Sequence, residues 1–411
     1  MEKAVAEGSR TMNKPSPVRL IRIEVDGVQR DLAGYEPGVR YWIEVSRRGQ
    51  IVGVLERTAD QAGTLGITAK ELADEFADIE ISDYSDFPMS RLPKASVVVP
   101  TMYRRVGLLQ RTIESLLNLE YPDYEIIVVD NRVGSGHTPI PAFSGDGRVK
   151  IVTEGTPGVS AARNRGFAES QGDFVAFTDD DVEVDRQWLR ALGVAFARDA
   201  GIDAIGGTVR PFELETEPQL WFEEFYGGFT KSLQAVERSL KLVGKSDPMF
   251  PYSPGHFGAG CNMAVRRTAF ERSKGFDVHL GGGTVATSGE DLKLFLDIVF
   301  AGGTVAYVPS AVVRHTHRRT EKQFEEQVFS YGVGLTALFT DLIFDDPRHL
   351  LRILKRVPRG MSLLLHPKVS RSPSTAISYP RRTQLVQLLG MAYGPLAYGL
   401  SVAKVRLARR R

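Results

Sequence analysis

The stretch Phe174 to Asp181 reads Phe-Val-Ala-Phe-Thr-Asp-Asp-Asp, so an apolar strand runs directly into three consecutive carboxylates. Apolar side chains at every position from Phe174 to Phe177 are typical of a strand that is buried on both faces. Three adjacent acids repel one another, so a fold keeps them together where positive charge lies beside them. A hard divalent cation that carries phosphate oxygens meets this need. An acidic turn whose Asp caps the next helix is the alternative interpretation.

The composition is that of an ordinary globular protein. The chain has 411 residues, of which 42% are hydrophobic and 25% charged, and this length favours two or three domains. The net charge of +2 implies no global affinity for polyanions, so we expect no nucleic-acid partner. The single cysteine, Cys261, excludes an internal disulfide framework and fits a reducing cytoplasm.

The first ninety residues differ in pattern from the rest. Residues 1–16 are polar, lack the apolar core of a secretory signal, and are predicted to be disordered. Residues 17–90 are predicted to form a small β-rich domain, because three segments alternate with strand period and a capped helix follows. These segments are Val18 to Val25, Tyr41 to Val45 and Gln50 to Leu55, and the helix is Thr68 to Glu75.

From Ala95 the chain follows an α/β pattern of strand, helix, strand, strand, helix and strand. Ligands of such sheets bind beyond the carboxyl ends of the strands. Three polar motifs fall at such ends, so we expect them to lie near one another. They are Pro100-Thr101, Asp130 and the three acids Asp179 to Asp181.

Further features follow towards the carboxyl terminus. The aromatic stretch Pro218 to Tyr226 predicts either a core-packed helix or a sugar-stacking platform. A glycine-rich loop leads to Gly289-Glu290-Asp291, which opens a helix, and a strand over Gly303 to Val308 precedes Arg314 to Arg319. The last segment, residues 321–411, is predicted to be helical. Its apolar part, residues 385–405, has a basic end and predicts either an interfacial helix or hairpin at a membrane surface or a soluble helical pair.

In their order along the chain, seven motifs over residues 95–320 resemble a family 2 glycosyltransferase of the GT-A fold. The resemblance implies a Rossmann-like mixed sheet flanked by helices, and transfer of a sugar from a nucleotide-diphosphate donor to an acceptor hydroxyl. The motifs are Val97 to Thr101, Glu125 to Asn131, Gly158 to Gly166, Phe177 to Asp181, Gly258 to Arg267, Gly289 to Leu292 and Arg314 to His317.

The resemblance implies a metal site for Mn²⁺ or Mg²⁺ that neutralises the departing diphosphate. Asp179 and Asp181 are expected to serve this site, with Asp180 in support and Asp181 as the first choice of direct ligand. We expect the rings of His315 and His317 to point in opposite directions, so that only one of them, His315, reaches the metal. Imidazole suits Mn²⁺ better than Mg²⁺.

The resemblance also implies a donor site, in which Asp130 accepts a hydrogen bond from the nucleotide base. The family often has a second Asp next, whereas this chain has Asn131 followed by Arg132 to Ser135, which leaves the base undetermined. For Asp130 a capping role is the alternative, and for Arg163 packing along its own helix is the alternative. The expected donor-binding residues are Pro100, Thr101, Arg104, Asp130, Arg163, Asn164, Asp179, Asp180, Gly260 and Asn262.

For catalysis the resemblance implies that Asp291 is the general base, with Glu290 orienting the acceptor or the loop. We expect Asp291 to be ionised at neutral pH because a helix N-terminus stabilises a carboxylate. Direct attack opposite the leaving group inverts the anomeric centre. A pair of acids that only caps the helix is the alternative.

These expectations describe an inverting, metal-dependent glycosyltransferase of cell-envelope glycan or glycolipid synthesis. The acceptor is expected to be a glycan or a lipid-linked sugar. The protein is expected in the cytoplasm, with its C-terminus at the anionic inner face of the plasma membrane as one option. The alternatives are a nucleotidyltransferase with a related core, which the lack of glycines after Pro100-Thr101 disfavours, and a non-catalytic nucleotide-sugar-binding protein.

Overall fold

The structure is a computed structural model, and it describes most of the chain. The described residues are 18–27, 32–79, 81, 84, 86–132, 145–224, 226–230, 232–242, 247–365 and 381–408. The segment predicted to be disordered, residues 1–16, lies outside them. So do Phe225 of the aromatic stretch and the terminal arginines 409–411.

The N-terminal unit is a three-stranded sheet with one helix, as the alternating pattern predicted. Its middle strand pairs parallel with the first strand and antiparallel with the third. Thr68 and Glu71 form a reciprocal capping box at the start of the helix. Buried Ile43, Val45 and Leu72 belong to a core of its own. The elements are β1 (Arg19–Glu24), β2 (Arg40–Arg47), β3 (Gln50–Thr58) and α1 (Ala69–Glu75).

A second, larger sheet follows, flanked by helices, so the predicted mixed α/β fold is confirmed. Its strands are β4 (Ala95–Thr101), β5 (Tyr124–Asp130), β6 (Val149–Thr153), β7 (Phe174–Phe177), β8 (Val182–Val184), β9 (Ile202–Pro211), β10 (Val236–Arg238), β11 (Met263–Arg266) and β12 (Thr304–His315). The helices between them are α2 (Val106–Leu117), α3 (Val159–Glu169), α4 (Trp188–Arg198), α5 (Glu217–Glu224), α6 (Arg267–Ser273) and α7 (Glu290–Phe300).

The strand order of this sheet among the described residues is β10-β12-β9-β11-β7-β4-β5-β6, with β8 paired to β12. Strands β7, β4, β5 and β6 run parallel, whereas β11 is antiparallel to both of its neighbours. Thr101 at the end of β4 pairs with Asp130 at the end of β5, and Val98 pairs with Phe177 at the end of β7. The polar motifs therefore share one edge of the sheet, as predicted.

Strand β12 is longer than the sequence pattern predicted. The predicted end at Val308 is wrong, because the strand continues through Pro309 to His315 with a register shift between Val308 and Val312. Its last residues pair antiparallel with β8, where His315 lies opposite Val182. This pairing brings His315 beside the end of the acidic motif.

The segment after β12 is helical, as predicted. Its elements are α8 (Glu321–Asp345), α9 (Arg348–Leu354), α10 (Val357–Leu365) and α11 (Arg381–Ala408). Helices α8 and α11 approach closely, since a Cβ on Gly390 would meet the carbonyl oxygen of Phe329 at 2.3 Å. By length and composition alone, Glu321–Asp345 and Arg382–Leu407 are apolar enough to cross a membrane. The aromatic stretch lies against α8, where Trp221 and Phe222 are buried beside Phe324, as the core-packing alternative predicted.

Candidate active site

The acidic motif meets β12 at the carboxyl edge of the large sheet. One ligand atom from each of Asp179, Asp181 and His315 lies within 4.8 Å of the others. Asp181 and His315 are buried, with Asp181 Oδ1 3.3 Å from His315 Nε2, and the Asp179 side chain is 34% exposed. The structure thus brings together the three residues predicted to hold a metal.

Asp180 lies outside the metal group, although Arg105 Nη2 is 3.9 Å from its Oδ1. Its Oδ2 accepts a hydrogen bond of 2.6 Å from the Thr101 hydroxyl at the end of β4. Burial, together with the neighbouring charges of Asp181 and Asp179, raises the pKa of Asp180 to about 6. The middle acid therefore holds its proton more readily than an exposed Asp does.

Asp181 is more strongly ionised than Asp180. Burial alone would raise its pKa, but His315 and Arg105 outweigh burial and lower the pKa well below its ordinary value. Arg105 Nη2 lies 2.6 Å from Asp181 Oδ2. The sequence reasoning named the neighbouring Arg104, which is exposed, and it missed Arg105.

Arg163 connects the acidic motif to the start of α7. Its guanidinium is buried and donates to Asp179 Oδ1 at 2.9 Å and to Glu290 Oε1 at 2.8 Å. It also donates to the carbonyl oxygen of Gly260 at 3.2 Å. Arg163 therefore points into the site, and the alternative of packing along its own helix does not describe it.

Asp291 is held by two backbone N–H groups. Gly260 donates to its Oδ2 at 2.6 Å and Leu292 donates to its Oδ1 at 2.8 Å. Burial raises the pKa of Asp291, although Arg163 and these two N–H groups act in the opposite direction. Burial likewise raises the pKa of Glu290, with a further contribution from the charge of Asp291. The helix N-terminus therefore stabilises the carboxylate as expected, but the net pKa shift is upward.

The residue at position 260 must be glycine because there is no room for a side chain. A Cβ at this residue would lie 2.9 Å from both terminal nitrogens of Arg163 and 3.1 Å from Cβ of Asp291. A side chain would displace the arginine or the acid. The predicted close backbone approach therefore occurs, between Gly260 and the site's own side chains.

Asp130 forms the other end of the site, beyond β5. Its buried carboxylate binds Arg132 in a bidentate pair, with Arg132 Nη2 2.7 Å from Asp130 Oδ2. The guanidinium of Arg132 stacks on Tyr103, with 4.5 Å between Cζ and the ring centroid. The neighbouring Asn131 has a structural role, since its amide bonds the backbone of Thr156 and Gly158 ahead of α3.

Asn262 is not at the predicted donor site. It is fully buried, and its amide donates to the carbonyl oxygens of Thr208 and Ala311 at 2.8 Å each. Its Oδ1 accepts a hydrogen bond from the indole of Trp188. The physical reason is the irregularity of β12 after Val308, which leaves carbonyl groups for a side-chain amide to satisfy.

Asn164 also differs from the prediction. Both polar atoms of its amide bind the backbone of Phe276, at 2.8 and 2.9 Å, so its hydrogen bonds are used to hold a loop. Pro100 and Thr101 lie inside strand β4 and are buried, rather than forming a lip after it. Of this pair, Thr101 reaches the site through Asp180.

The two histidines lie side by side, which corrects the expected geometry. Their Nδ1 atoms are 3.4 Å apart, because side chains two residues apart share a face where the chain is extended, and His317 follows the last residue of β12, His315. His317 Nε2 turns away to Glu223 Oε1 at 2.8 Å. His315 alone joins the two acids. Neither Glu223 nor the role of His317 was visible in the sequence, because the contact spans 94 residues.

The residues of the metal group fit a divalent cation. Two carboxylates and an imidazole nitrogen form a donor set that Mn²⁺ accepts. A groove of about 860 Å³ elsewhere, between β1 and the segment Phe212 to Glu215, contains none of these acids. The chemistry of the acidic edge, rather than the size of a groove, locates the candidate site.

Comparison with known proteins agrees with this geometry. The family model "Glycosyl transferase family 2" matches residues 96–273. The chain is 33% identical over 250 residues to glycosyltransferase AglE of Haloferax volcanii, covering 60% of this chain and 74% of that protein. It is 25% identical over 281 residues to the glucosyl-dolichyl phosphate glucuronosyltransferase of the same organism, covering 64% and 84%.

Other relatives match over a smaller part of their length. The chain is 28% identical over 241 residues to the pre-mycofactocin glycosyltransferase of Mycobacterium tuberculosis strain H37Rv, covering 58% of this chain and less than half, 46%, of that protein. Among solved structures, a mannosyltransferase from Pyrobaculum calidifontis in complex with GDP-Man and Mn²⁺ matches with a TM-score of 0.45 and 17% identity. That match covers 82% of this chain and 93% of the other.

Proposed function

The chain belongs to glycosyl transferase family 2, and on this premise we propose that it is a metal-dependent inverting glycosyltransferase. It moves a sugar from a nucleotide-diphosphate donor to an acceptor hydroxyl. The observation that carries the proposal is the link from the acidic motif to Asp291: Arg163 joins Asp179 to Glu290, and the backbone of Gly260 joins Arg163 to Asp291.

Asp179, Asp181 and His315 would hold the cation. When bound, a divalent cation neutralises the charge that develops on the departing diphosphate. Arg105 and Arg163 already lie against the two acids and add positive charge at the same edge. Together with a bound cation, these two arginines supply positive charge for a diphosphate leaving group.

Asp291 acts as the general base. Its two backbone hydrogen bonds fix the carboxylate at the first turn of α7, and its raised pKa makes it a better proton acceptor than an exposed Asp. It takes the proton of the acceptor hydroxyl as that oxygen attacks the anomeric carbon from the side opposite the diphosphate. Glu290, bound to Arg163, holds the loop and the arginine in position.

Asp130 and its neighbours receive the nucleoside. The bidentate Asp130–Arg132 pair and the ring of Tyr103 provide a carboxylate acceptor, an N–H donor and an aromatic face at the end of β5. These groups bind a base by its polar edge and its face.

The acceptor is proposed to be a lipid-linked or membrane-bound glycan. One relative, whose 25% identical match covers 64% of this chain, is named a glucosyl-dolichyl phosphate glucuronosyltransferase. The helices α9 and α10 expose Leu350, Leu351, Leu354 and Val357, and no acid occurs from residue 347 to residue 365. Exposed leucines among arginines and lysine favour a peripheral position on an anionic membrane.

The proposal is tested with a panel of nucleotide sugars. Each donor is added with Mn²⁺ or Mg²⁺ and the thermal midpoint is measured, because a ligand that binds the folded protein raises it. Release of nucleoside diphosphate from a stabilising donor, stopped by EDTA and restored by the cation, is the expected result. Full activity in EDTA would remove the metal from the mechanism. Release of pyrophosphate from a nucleoside triphosphate would instead support a nucleotidyltransferase.

A further inference from the structure

A row of buried polar groups leads from His315 away from the acids. His315 Nδ1 lies 3.4 Å from His317 Nδ1, and His317 Nε2 lies 2.8 Å from Glu223 Oε1 on α5. All three side chains are 8% exposed or less. Phe222 packs edge-on against the His317 ring, and Phe229 packs against it at a tilt.

The row continues into the N-terminal unit. Glu223 Oε2 lies 3.7 Å from Arg210 Nη1 on β9, and Arg210 Nε donates to Glu44 Oε1 on β2 at 2.9 Å. Arg210 and Glu44 are also buried. A buried charge is retained where it is paired, and Arg210 is paired on both sides. Glu44 therefore fixes Arg210, and Arg210 fixes the carboxylate that holds His317.

The positions of the protons follow from this arrangement. A cation binds an imidazole nitrogen only through its lone pair, so a neutral His315 that uses Nε2 carries its proton on Nδ1. That proton faces His317 Nδ1, which accepts it only if His317 carries its own proton on Nε2. Glu223 accepts the hydrogen bond from that Nε2–H. The carboxylate therefore selects one tautomer of both rings.

We propose that Glu223, through His317, is a positioning residue that sets the tautomer and orientation of His315 for the cation, and that Glu44 of the N-terminal unit anchors it through Arg210. The inference rests on the proposed metal site. It gives the N-terminal unit a role in the chemistry at the sheet edge. Outer groups of this kind commonly change metal affinity tenfold to a hundredfold when they are removed.

The chain contains a matched control at the next residue. Glu224 is also buried, and it pairs with Arg40 of β2 at 2.8 Å. It therefore joins α5 to the same N-terminal strand, but through an arginine and not through a histidine. A purely structural role of the junction predicts equal effects at the two positions, whereas a positioning role predicts an effect at Glu223 alone.

The experiment measures Mn²⁺ binding by electron paramagnetic resonance of free Mn²⁺, without donor or acceptor. Glu223→Met and His317→Phe are expected to weaken Mn²⁺ binding by about tenfold or more, and Glu224→Met by less than about twofold. The Phe ring keeps the aromatic packing of His317 but lacks the Nδ1 acceptor. Circular dichroism and the thermal midpoint confirm that each variant is folded.

A second measurement uses only the wild-type protein, so it tests the proposal even if a variant fails to fold. Selective ¹⁵N-histidine labelling of the Mg²⁺-loaded wild-type protein reports which ring nitrogen carries the proton, and Nδ1–H on His315 with Nε2–H on His317 is expected. The opposite tautomers, or equal Mn²⁺ affinity in wild type and Glu223→Met, would overturn the inference. Wild-type protein that binds no Mn²⁺ would instead refute the metal site itself, so the two failures are distinct.

Discussion

Arg105 and Asp181 form an ion pair with 2.6 Å between Nη2 and Oδ2, at the point where strand β4 and the acidic motif meet. Asp181 is buried, whereas the arginine side chain is 39% exposed. A cation that binds Asp181 competes with this arginine. Once the arginine is displaced from the carboxylate, its charge is available to the donor phosphates.

The first prediction concerns this pair. Arg105→Gln raises the KM for the donor by about tenfold, because one charge-assisted hydrogen bond to phosphate is lost. The same variant binds Mn²⁺ more tightly in the absence of donor, because the competing guanidinium is gone. Arg104→Gln is the control, since Arg104 is exposed, and it should leave both quantities unchanged. Weaker donor binding together with tighter Mn²⁺ binding cannot result from general damage to the site, which would weaken both.

The second prediction concerns pH. Asp180 in the folded protein holds its proton to about pH 6, whereas an unfolded Asp loses it near 3.9. The folded state therefore binds more protons between these values, and stability is lost as pH rises through this window. Asp180→Asn removes the loss and can still accept the Thr101 hydrogen bond. The unfolding free energy of Asp180→Asn minus that of wild type is expected to rise by about 1 kcal/mol from pH 5 to pH 8 in EDTA.

Chemical denaturation at the two pH values measures this difference. Asp185→Asn, at a half-buried acid outside the motif, serves as the control. An advantage of Asp180→Asn that is the same at pH 5 and pH 8 would show that burial does not raise the pKa of Asp180.

The third prediction tests whether Asn262 has a structural role in the core or a donor-binding role. Asn262→Leu removes three buried hydrogen bonds, two to the carbonyl groups of Thr208 and Ala311 and one from the Trp188 indole. The unfolding free energy should fall by about 3 kcal/mol or more, while the donor KM of the folded fraction stays within about twofold. A donor KM raised by an order of magnitude with unchanged stability would restore the donor-binding role that the sequence predicted.

The sequence predicted the parts of this molecule that depend on local pattern. The buried strand at Phe174 to Phe177, its acids and the helix opened by Glu290 are each encoded by a few neighbouring residues. The rule that parallel strands end at one edge then placed Asp130 beside the acidic motif. The order of strand, helix, strand, strand, helix and strand from Ala95 follows in the same way from apolar spacing.

Long-range contacts determined what the sequence did not predict. Arg104 and Arg105 are indistinguishable in the sequence, and only the bend before α2 turns Arg105 to Asp181. The Asn262 amide donates to carbonyl groups on two strands that are distant in sequence. It reaches the one on β12 where the register of that strand shifts. The Glu223–His317 contact joins residues 94 positions apart, so no local signal reports it.

The fourth prediction concerns the membrane. Leu351→Glu with Leu354→Glu reduces binding to anionic vesicles by about tenfold or more in a flotation assay, because two exposed apolar side chains are replaced by charges. Leu242→Glu is the control, since this leucine is 60% exposed but lies in the segment after β10. If the control and the double variant float equally well, α9 does not contact the membrane.

The most direct test of the account is the rate of sugar transfer by Asp291→Asn. Asn keeps the size of the side chain and an oxygen that accepts from Gly260, but it takes no proton from the acceptor. The account predicts that kcat falls by about a hundredfold to ten-thousandfold while the affinity for nucleotide sugar with Mn²⁺ stays within about twofold of wild type. Transfer at the wild-type rate by this variant would contradict it.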